Sequence, residues 1–198
     1  MAVVLAPAGY AILHKLTARL APAKTDIETE TSVKASGSTI KPTSSQVLAI
    51  IDVPSKLVIP KLDINAYVES VGKDQTGRMD VPKKDQDVGW WKYGFKPGEI
   101  GNSVIAGHYD RKDGGPAVFY NLGDLEIGDK LEIVDGNGKS LTFRVVRKEI
   151  FKDAEFPLQE VFGETDSKYL NLITCEGTFD RVTKNYSDRL VVFTKLVK

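Results

Sequence analysis

The amino-acid sequence predicts an all-β protein, either a sandwich or a barrel. Many short apolar runs of strand length are separated by glycine-rich turns, and few segments have the periodicity of a helix. The clearest turn is at residues 135–138 (DGNG), between segments at 130–134 and 141–150 that alternate apolar and polar residues. This pattern predicts a β-hairpin.

The remaining elements follow from the same reasoning. Residues 57–59 and 64–68 predict two strands on either side of a turn at Pro60. Residues 156–162 predict a short helix, because Pro157 is well suited to a first helical turn. Helices are therefore expected only as short pieces in the connections.

The chain has a single cysteine, and it lies at a strand end. Residues 169–175 (YLNLITC) predict a buried strand that ends at Cys175, and residues 176–178 have the composition of a loop. A thiol at such a position is held rigidly and is still accessible, as a nucleophile requires. The alternative is a packing role, because free cysteine is among the most buried residue types.

A histidine and an arginine occupy comparable positions. His108 follows the buried strand pattern 103–106, whereas the other histidine, His14, lies in an apolar N-terminal segment. Arg189 precedes a strand predicted at 190–193. Taken alone, His108 fits a hydrogen-bonded structural residue and Arg189 a solvated strand edge.

Together these residues resemble the signature of the sortase family. His108 within AGH, Cys175 within LITC and Arg189 within SDRLVV occur in the family's chain order, and the resemblance covers roughly residues 56–197. It implies a closed sortase-type β-barrel of about eight strands, with short helices in the connections. Asn171, where many sortases have threonine, bears on the subclass; the chain resembles the non-A, non-B classes.

The resemblance also implies a chemistry and its partners. Cys175 would be the nucleophile, His108 the acid, and Arg189 the donor to the oxyanion, with Thr174 and Ala106 contacting substrate. The substrates would be a sorting signal of the Leu-Pro-x-Thr-Gly kind and an amine acceptor, either a cell wall precursor or a pilin lysine. We expect neither a cofactor nor a metal, because a lone cysteine excludes a Cys-rich zinc cluster and the EF-hand spacing is absent.

Other interpretations stay open at the level of sequence. The chain could be a catalytically silent barrel that binds peptides or glycans, or a hydrolytic cysteine peptidase. Residues 101–105 resemble a serine nucleophile elbow around Ser103, but the closing glycine is absent. Asp110 could orient His108 or, alternatively, cap its own loop.

Composition indicates one domain with an N-terminal extension. The 198 residues carry 27 basic and 27 acidic side chains, so no charge excess points to a nucleic-acid partner. Residues 1–20 predict the outer part of a membrane anchor that begins before this sequence, with an amphipathic surface helix as the alternative. Residues 21–47 predict a flexible tether and residues 48–198 the catalytic domain. We therefore expect the domain on the extracytoplasmic face of the cell membrane.

Overall fold

The structure is a computed structural model that describes residues 50–197. The predicted anchor at residues 1–20 and the predicted tether at 21–47 lie outside the described residues. Within residues 50–197, no helix has the length and hydrophobicity needed to cross a membrane.

Eight strands of the described region close into a barrel. They are β1 (Pro54–Ile59), β2 (Ile64–Val71), β3 (Val88–Trp91), β4 (Gly101–Gly107), β5 (Lys130–Asp135), β6 (Ser140–Lys152), β7 (Lys168–Asp180) and β8 (Asn185–Leu196). The order around the barrel is β1-β2-β3-β4-β7-β8-β6-β5, and β5 pairs back onto β1. The pairs β2–β3 and β4–β7 are parallel, and the other pairs are antiparallel. The prediction of an all-β, closed eight-stranded barrel is confirmed.

Among the described residues 50–197, helices are short and occur in the connections. One α-helix, α1 (Leu158–Phe162), directly follows Pro157, in agreement with the predicted helix. Three 3₁₀ turns occupy Pro60–Leu62, Leu122–Asp124 and Asp153–Glu155. The first is the predicted turn between β1 and β2, where the fixed φ of Pro60 suits the first helical position.

The predicted hairpin is formed by β5 and β6. Its turn is fastened by the Asp135 carboxylate, which accepts hydrogen bonds from the backbone N–H groups of Asn137 at 2.8 Å and Lys139 at 2.9 Å. Gly138 has a φ of 81°, which side chains other than glycine rarely adopt. The sequence DGNG therefore fixes this turn through an Asp cap and a left-handed glycine.

Side chains alternate between the barrel interior and an outer face. On β7, Leu170 and Leu172 belong to the main core, whereas Ile173 belongs to a second cluster outside the barrel. We call this second set the outer apolar cluster; its buried members are Val104, Val161, Ile173, Val191 and Phe193, with Met79, Trp91, Phe151, Phe156 and Phe162 packed against them. Because Val161 comes from α1, the helix is held on the barrel by this cluster, each fully buried side chain contributing about 1.5–3 kcal/mol.

The last two strands are longer than predicted. The sequence placed the end of β7 at Cys175 and the start of the last strand at residue 190, but β7 continues to Asp180 and β8 begins at Asn185. The interpretation of residues 176–178 as a loop is therefore wrong: the register shifts between Glu176 and Phe179, and the strands then pair again.

A bulge explains how the strands continue through this glycine-containing stretch. Gly177 takes a φ of 84°, which permits the irregularity. Beyond it, the N–H of Thr178 donates to Ser187 Oγ at 3.0 Å, and the rings of Phe179 and Tyr186 pack at 5.1 Å. Cys175 and Arg189 consequently lie within a two-stranded ribbon.

Candidate active site

The three predicted catalytic residues lie in one row across neighbouring strands. Cys175 on β7 is directly opposite Arg189 on β8. On the other side of β7, the parallel register aligns Ala106 of β4 with Ile173. His108 follows two residues after Ala106, so it lies level with Cys175, and adjacent strands are about 4.8 Å apart.

All three side chains project from the same face of the barrel. Ile173 and Val191 lie two residues from Cys175 and Arg189 respectively, and both belong to the outer apolar cluster. Because side chains on a strand alternate, residues two apart share a face. The structure therefore brings Cys175, His108 and Arg189 together at one end of the outer face.

The two residues predicted to contact substrate face opposite ways. Thr174 is buried, and its hydroxyl donates to the Gly107 carbonyl at 3.0 Å, which ties β7 to β4 immediately before Cys175 and His108. Ala106 is half-buried and pairs with both Gly89 and Ile173, on the face that carries Cys175. Contact of either residue with a substrate stays a prediction.

Burial dominates the acidity of the candidate nucleophile. Removal from water raises the pKa of the Cys175 thiol, since the thiolate loses hydration. The Arg189 guanidinium opposes this and lowers the pKa, Asp110 and Asp153 raise it, and Arg78 lowers it. The net effect favours the neutral thiol in the protein without substrate.

The ring of His108 is oriented by a backbone carbonyl. Its Nε2 lies 3.0 Å from the oxygen of Pro82, in the β2–β3 connection. A carbonyl oxygen can only accept a hydrogen bond, so we assign the proton to Nε2. In the neutral imidazole, Nδ1 is then the nitrogen able to accept a proton.

Arg189 is held by contacts to both of its Nη atoms. Nη1 donates to the carbonyls of Tyr186 at 3.1 Å and Asp188 at 2.7 Å, and Nη2 donates to Asn185 Oδ1 at 2.7 Å. Nη2 also forms an ion pair with Asp153 Oδ1 at 2.8 Å. Only 14% of the side chain is exposed, and no described residue accepts a hydrogen bond from Nε.

Sequence reasoning missed two charged residues at this site, Arg78 and Asp153. The Arg78 guanidinium donates to both carboxylate oxygens of Asp153 at 3.1 Å, and Asn185 donates to the same carboxylate at 2.9 Å. Arg78 and Asp153 are separated by 75 positions in the chain, and neither belongs to a recognisable motif. No sequence pattern signals a contact between two loops that only the closed barrel brings together.

Asp110 has a partner that the sequence analysis did not consider. Its carboxylate accepts a hydrogen bond from the Tyr186 hydroxyl at 2.6 Å. Burial and this bond raise the pKa of Tyr186, because its phenolate would face the Asp110 carboxylate. The Tyr109 ring packs between Tyr186 at 5.7 Å and Tyr120 at 4.9 Å, so an aromatic wall flanks the site beyond Cys175.

Ser103 is poorly placed to be a nucleophile. The residue is fully buried, and its hydroxyl accepts a hydrogen bond from Trp90 Nε1 at 3.2 Å. Trp90 belongs to the main core, so Ser103 faces the barrel interior. The resemblance of residues 101–105 to a nucleophile elbow reflects a core strand.

A cavity of about 490 Å³ lies elsewhere on the outer face. Its lining is mixed polar and apolar and comes from four strands and the α1 region: Asn102, Val146, Arg147, Gln159, Glu160, Glu164, Thr165, Tyr169 and Phe193. Tyr169 lies six residues before Cys175 on β7, a distance of about 20 Å along a strand. None of the three predicted catalytic residues lines this cavity.

Comparison with known proteins assigns the family. Residues 57–197, well over half of the chain, match the family model of the sortase domain. The chain therefore belongs to the sortase family, which confirms the resemblance found in the sequence.

Individual relatives belong to several sortase classes. Sortase D of Bacillus subtilis (strain 168) is 28% identical over 136 residues, which are 69% of this chain and 59% of the relative, so the chain spans about three fifths of that relative's length. Among solved structures, sortase C-1 from Actinomyces oris gives a TM-score of 0.57 at 22% identity, over 72% of this chain and 73% of that one. Sortase A from Corynebacterium diphtheriae gives 0.56 at 20% identity (74% and 61%), and the Clostridium perfringens Sortase D5 transpeptidase gives 0.53 at 20% identity (72% and 78%). At these identities the structures establish the shared fold and leave the class open.

Proposed function

We propose that this chain is a cysteine transpeptidase that cleaves a Leu-Pro-x-Thr-Gly-like sorting signal and transfers the acyl group to an amine. The observation that carries the proposal is the row formed by His108, Cys175 and Arg189 on one face of three neighbouring strands. Membership of the sortase family and the similarity to Sortase D and the Sortase D5 transpeptidase support it.

Acylation begins with loss of the thiol proton. Burial keeps Cys175 largely protonated, so a base must accept that proton as the sulfur approaches the Thr carbonyl. Nδ1 of His108 is the available acceptor, because Nε2 is bonded to a carbonyl. The sulfur then forms a bond to the carbonyl carbon, and the carbonyl oxygen becomes an oxyanion.

Arg189 is the donor nearest to that oxyanion. Its Nη atoms are fixed by backbone and side-chain oxygens, so the guanidinium does not need to reorganise when charge develops. We assign the hydrogen bond to Nε–H, the group without an acceptor among the described residues. As the intermediate collapses, the C–N bond to Gly breaks and the leaving amine takes the proton from His108, which leaves a thioester on Cys175.

The second half-reaction reverses these roles. A primary amine attacks the thioester and His108 accepts its proton. The C–S bond then breaks, and His108 returns the proton to the sulfur, which restores the Cys175 thiol. The acceptor is an amine of a cell wall precursor or a pilin lysine, so the outcome is wall anchoring or pilus assembly. Water in place of the amine would make the same site a peptidase.

The partly buried side chains packed against the outer apolar cluster provide a surface for the sorting signal. Ile173 and the other buried members lie beneath them, and the accessible aromatic residues are Trp91, Phe151, Phe156 and Phe162. The Leu and Pro side chains of the signal would bury apolar area there, at about 25 cal/mol per Å². The segment 156–168, which includes α1, forms the wall of this surface.

We propose that the domain acts on the extracytoplasmic face of the cell membrane, where sorting signals and wall precursors meet. An N-terminal anchor at residues 1–20 and a tether at 21–47 would hold it there. Protease added to intact cells should degrade the full-length protein, and complete protection until lysis would contradict this location.

The decisive experiment is detection of the acyl-enzyme. Purified protein is incubated with a library of sorting-signal peptides, and adducts on Cys175 are identified by mass spectrometry, with Cys175→Ala as the control. Addition of a primary amine should divert product from the free acid to the amide. Peptide binding without any adduct would support a silent binding barrel, and free acid unchanged by amine would support a hydrolase.

A further inference from the structure

Two connections and one strand meet at the carboxylate of Asp153. Asp153 begins the 3₁₀ turn directly after β6, where the antiparallel register pairs Phe151 with Arg189. Arg189 reaches it from β8 at 2.8 Å, and Arg78 reaches it from the β2–β3 connection at 3.1 Å. Asn185, at the start of β8, donates to the Asp153 carboxylate and accepts from Arg189. Each of these groups therefore has at least one partner on a different structural element.

The loop that carries Arg78 is well braced. The Asp74 carboxylate accepts hydrogen bonds from the N–H groups of Thr76 at 2.7 Å and Arg78 at 3.0 Å. Lys73 and Met79 pair as an isolated bridge, and Met79 packs against the outer apolar cluster. This hydrogen-bonded turn therefore positions Arg78 next to Asp153.

The charged cluster formed by Asp153, Arg189 and Arg78 is more buried than an ordinary surface ion pair. Asp153 and Arg189 are each 14% exposed and Arg78 is 21% exposed. Withdrawing three charges from water is costly, and such a group adds little stability compared with apolar packing. The position of this buried charge cluster beside the single cysteine points to a role in chemistry.

We propose that Asp153 is a positioning residue that locks the Arg189 guanidinium beside Cys175, with Arg78 as the second cation that fixes Asp153 in turn. The proposal rests on the proposed transpeptidase function. Two guanidinium groups and one carboxylate leave the cluster with a net charge of +1. The arrangement holds Arg189 in a single geometry and still presents a net positive field to the sulfur and to the developing oxyanion.

The surroundings of Cys175 allow this role to be separated from simple structural support. The titratable groups around the thiol come from several elements: His108, Asp110, Tyr186, Arg189, Asp153 and Arg78. Asp153 raises the pKa of Cys175, whereas Arg189 and Arg78 lower it. Loss of the Asp153 charge should therefore lower the pKa of the thiol, because Nη1 of Arg189 stays bonded to the Tyr186 and Asp188 carbonyls and the cation remains near Cys175. Nη2 loses the ion pair that fixes the orientation of the guanidinium.

The key variant is Asp153→Asn in the full chain. Because the chain has one cysteine, iodoacetamide alkylation followed by mass spectrometry reports on Cys175 alone. We expect the midpoint of the pH–alkylation profile to fall and alkylation near pH 7.5 to become faster. Single-turnover acylation by a saturating sorting-signal peptide should instead fall by about 10²-fold, the cost of a misplaced catalytic group.

Two further variants complete the design. Arg78→Gln removes a cation and leaves Asp153 bonded to Arg189, so the alkylation midpoint should rise and acylation should fall several-fold, less than in Asp153→Asn. Asp129→Asn is the matched control, because Asp129 also pairs with a cation, Lys61 at 2.9 Å, but lies outside the site. Neither the alkylation profile nor acylation should change in the control.

A direct measure of Arg189 orientation does not require substrate. The ¹⁵Nε–H signal of Arg189, assigned by its disappearance in Arg189→Lys, should lose protection from solvent exchange in Asp153→Asn. If that variant does not fold, Asn185→Ala is the substitute, because it removes one hydrogen bond to Arg189 and one to Asp153. It should lower acylation by about tenfold with an unchanged alkylation midpoint, because Asn185 is neutral.

The possible results are distinguishable. Acylation of Asp153→Asn within threefold of the wild type would overturn the positioning role. Slower alkylation together with slower acylation and a lower melting temperature would show that Asp153 is only structural. Failure of the wild-type protein to acylate any peptide would refute the proposed function, and in that case an unchanged Arg189 signal in Asp153→Asn would overturn the positioning role as well.

Discussion

Replacement of Arg189 by alanine separates three roles that its contacts permit: donor to the oxyanion, clamp for the peptide, and structural ion pair. The side chain has three hydrogen bonds through its Nη atoms and an ion pair with Asp153. After the substitution, the Asp153 carboxylate still accepts hydrogen bonds from Arg78 and Asn185. The domain should therefore fold.

The magnitudes of the structural and catalytic effects differ enough to be resolved. Hydrogen bonds from a charged donor contribute roughly 1.5–3 kcal/mol each, but water entering the vacated space recovers much of this. We expect a net loss of about 2–3 kcal/mol, which lowers the melting temperature by roughly 4–12 °C for a domain of this size. Loss of one donor to an oxyanion should lower single-turnover acylation by about 10²–10³.

The assay measures acylation at saturating peptide, peptide affinity and melting temperature for Arg189→Ala and Arg189→Lys. Peptide affinity should change far less than the rate, because the lost interaction is specific to the transition state. Lysine keeps the charge but lacks the planar fork, so it should recover only part of the rate. A weaker affinity with an unchanged saturated rate would identify a clamp. A lower melting temperature that lysine restores, again with an unchanged rate, would refute the oxyanion role in favour of a structural pair.

Three further predictions concern Cys175 and the bulge beside it. Alkylation of Cys175 should have a higher pH midpoint in the folded protein than in urea, because burial raises the pKa of the thiol. The contribution of the thiol to the free energy of unfolding is present below the pKa of the unfolded state and is lost as pH rises through the pKa of the folded state. An equal midpoint in the two states would contradict this prediction. Cys175→Ala should retain peptide affinity and form no acyl-enzyme, as measured by titration and mass spectrometry; residual turnover is not expected from Ser103, which is buried. Gly177→Ala and Gly138→Ala should each lose about 1 kcal/mol or more on thermal unfolding, because both glycines have positive φ. Only Gly177→Ala should also slow acylation, because a Cβ at this position would overlap the side chains of Ser187 and Asp188. Equal acylation rates in the two variants would show that the bulge does not affect the site.

The barrel was predictable because its strands have local signals. The turn capped by Asp135 and the apolar runs that form β4 and β7 are readable from neighbouring residues alone. The closure into eight strands depended on resemblance to a family, since periodicity does not specify which strands are paired. The ends of β7 and β8 were misjudged because Gly177 was interpreted as a loop residue, whereas its positive φ forms a bulge within a continuing ribbon.

The residues of the site also differ in whether a local sequence pattern identifies them. Cys175, His108 and Arg189 were identified because each lies beside a strand pattern and the three follow a known order. Asp153 and Arg78 were not, because nothing in either segment indicates the other. Their contact is created by the barrel order, which places the end of β6 beside β8 and folds the β2–β3 connection over both.

The register of three strands therefore determines which side chains meet at the site and which charges act on the pKa of Cys175. A parallel neighbour on one side of β7 aligns His108 with Cys175, and an antiparallel neighbour on the other side aligns Arg189. Since a shift of one residue moves every side chain to the opposite face, a one-residue slip of β8 would turn Arg189 toward the core and put Asp188 or Leu190 opposite the thiol. The buried Thr174–Gly107 bond and the paired outer apolar cluster resist such slips on either side of the cysteine. The same packing that holds the register also buries the thiol and raises its pKa, so the cations beside Cys175 compensate for a cost that the fold itself imposes.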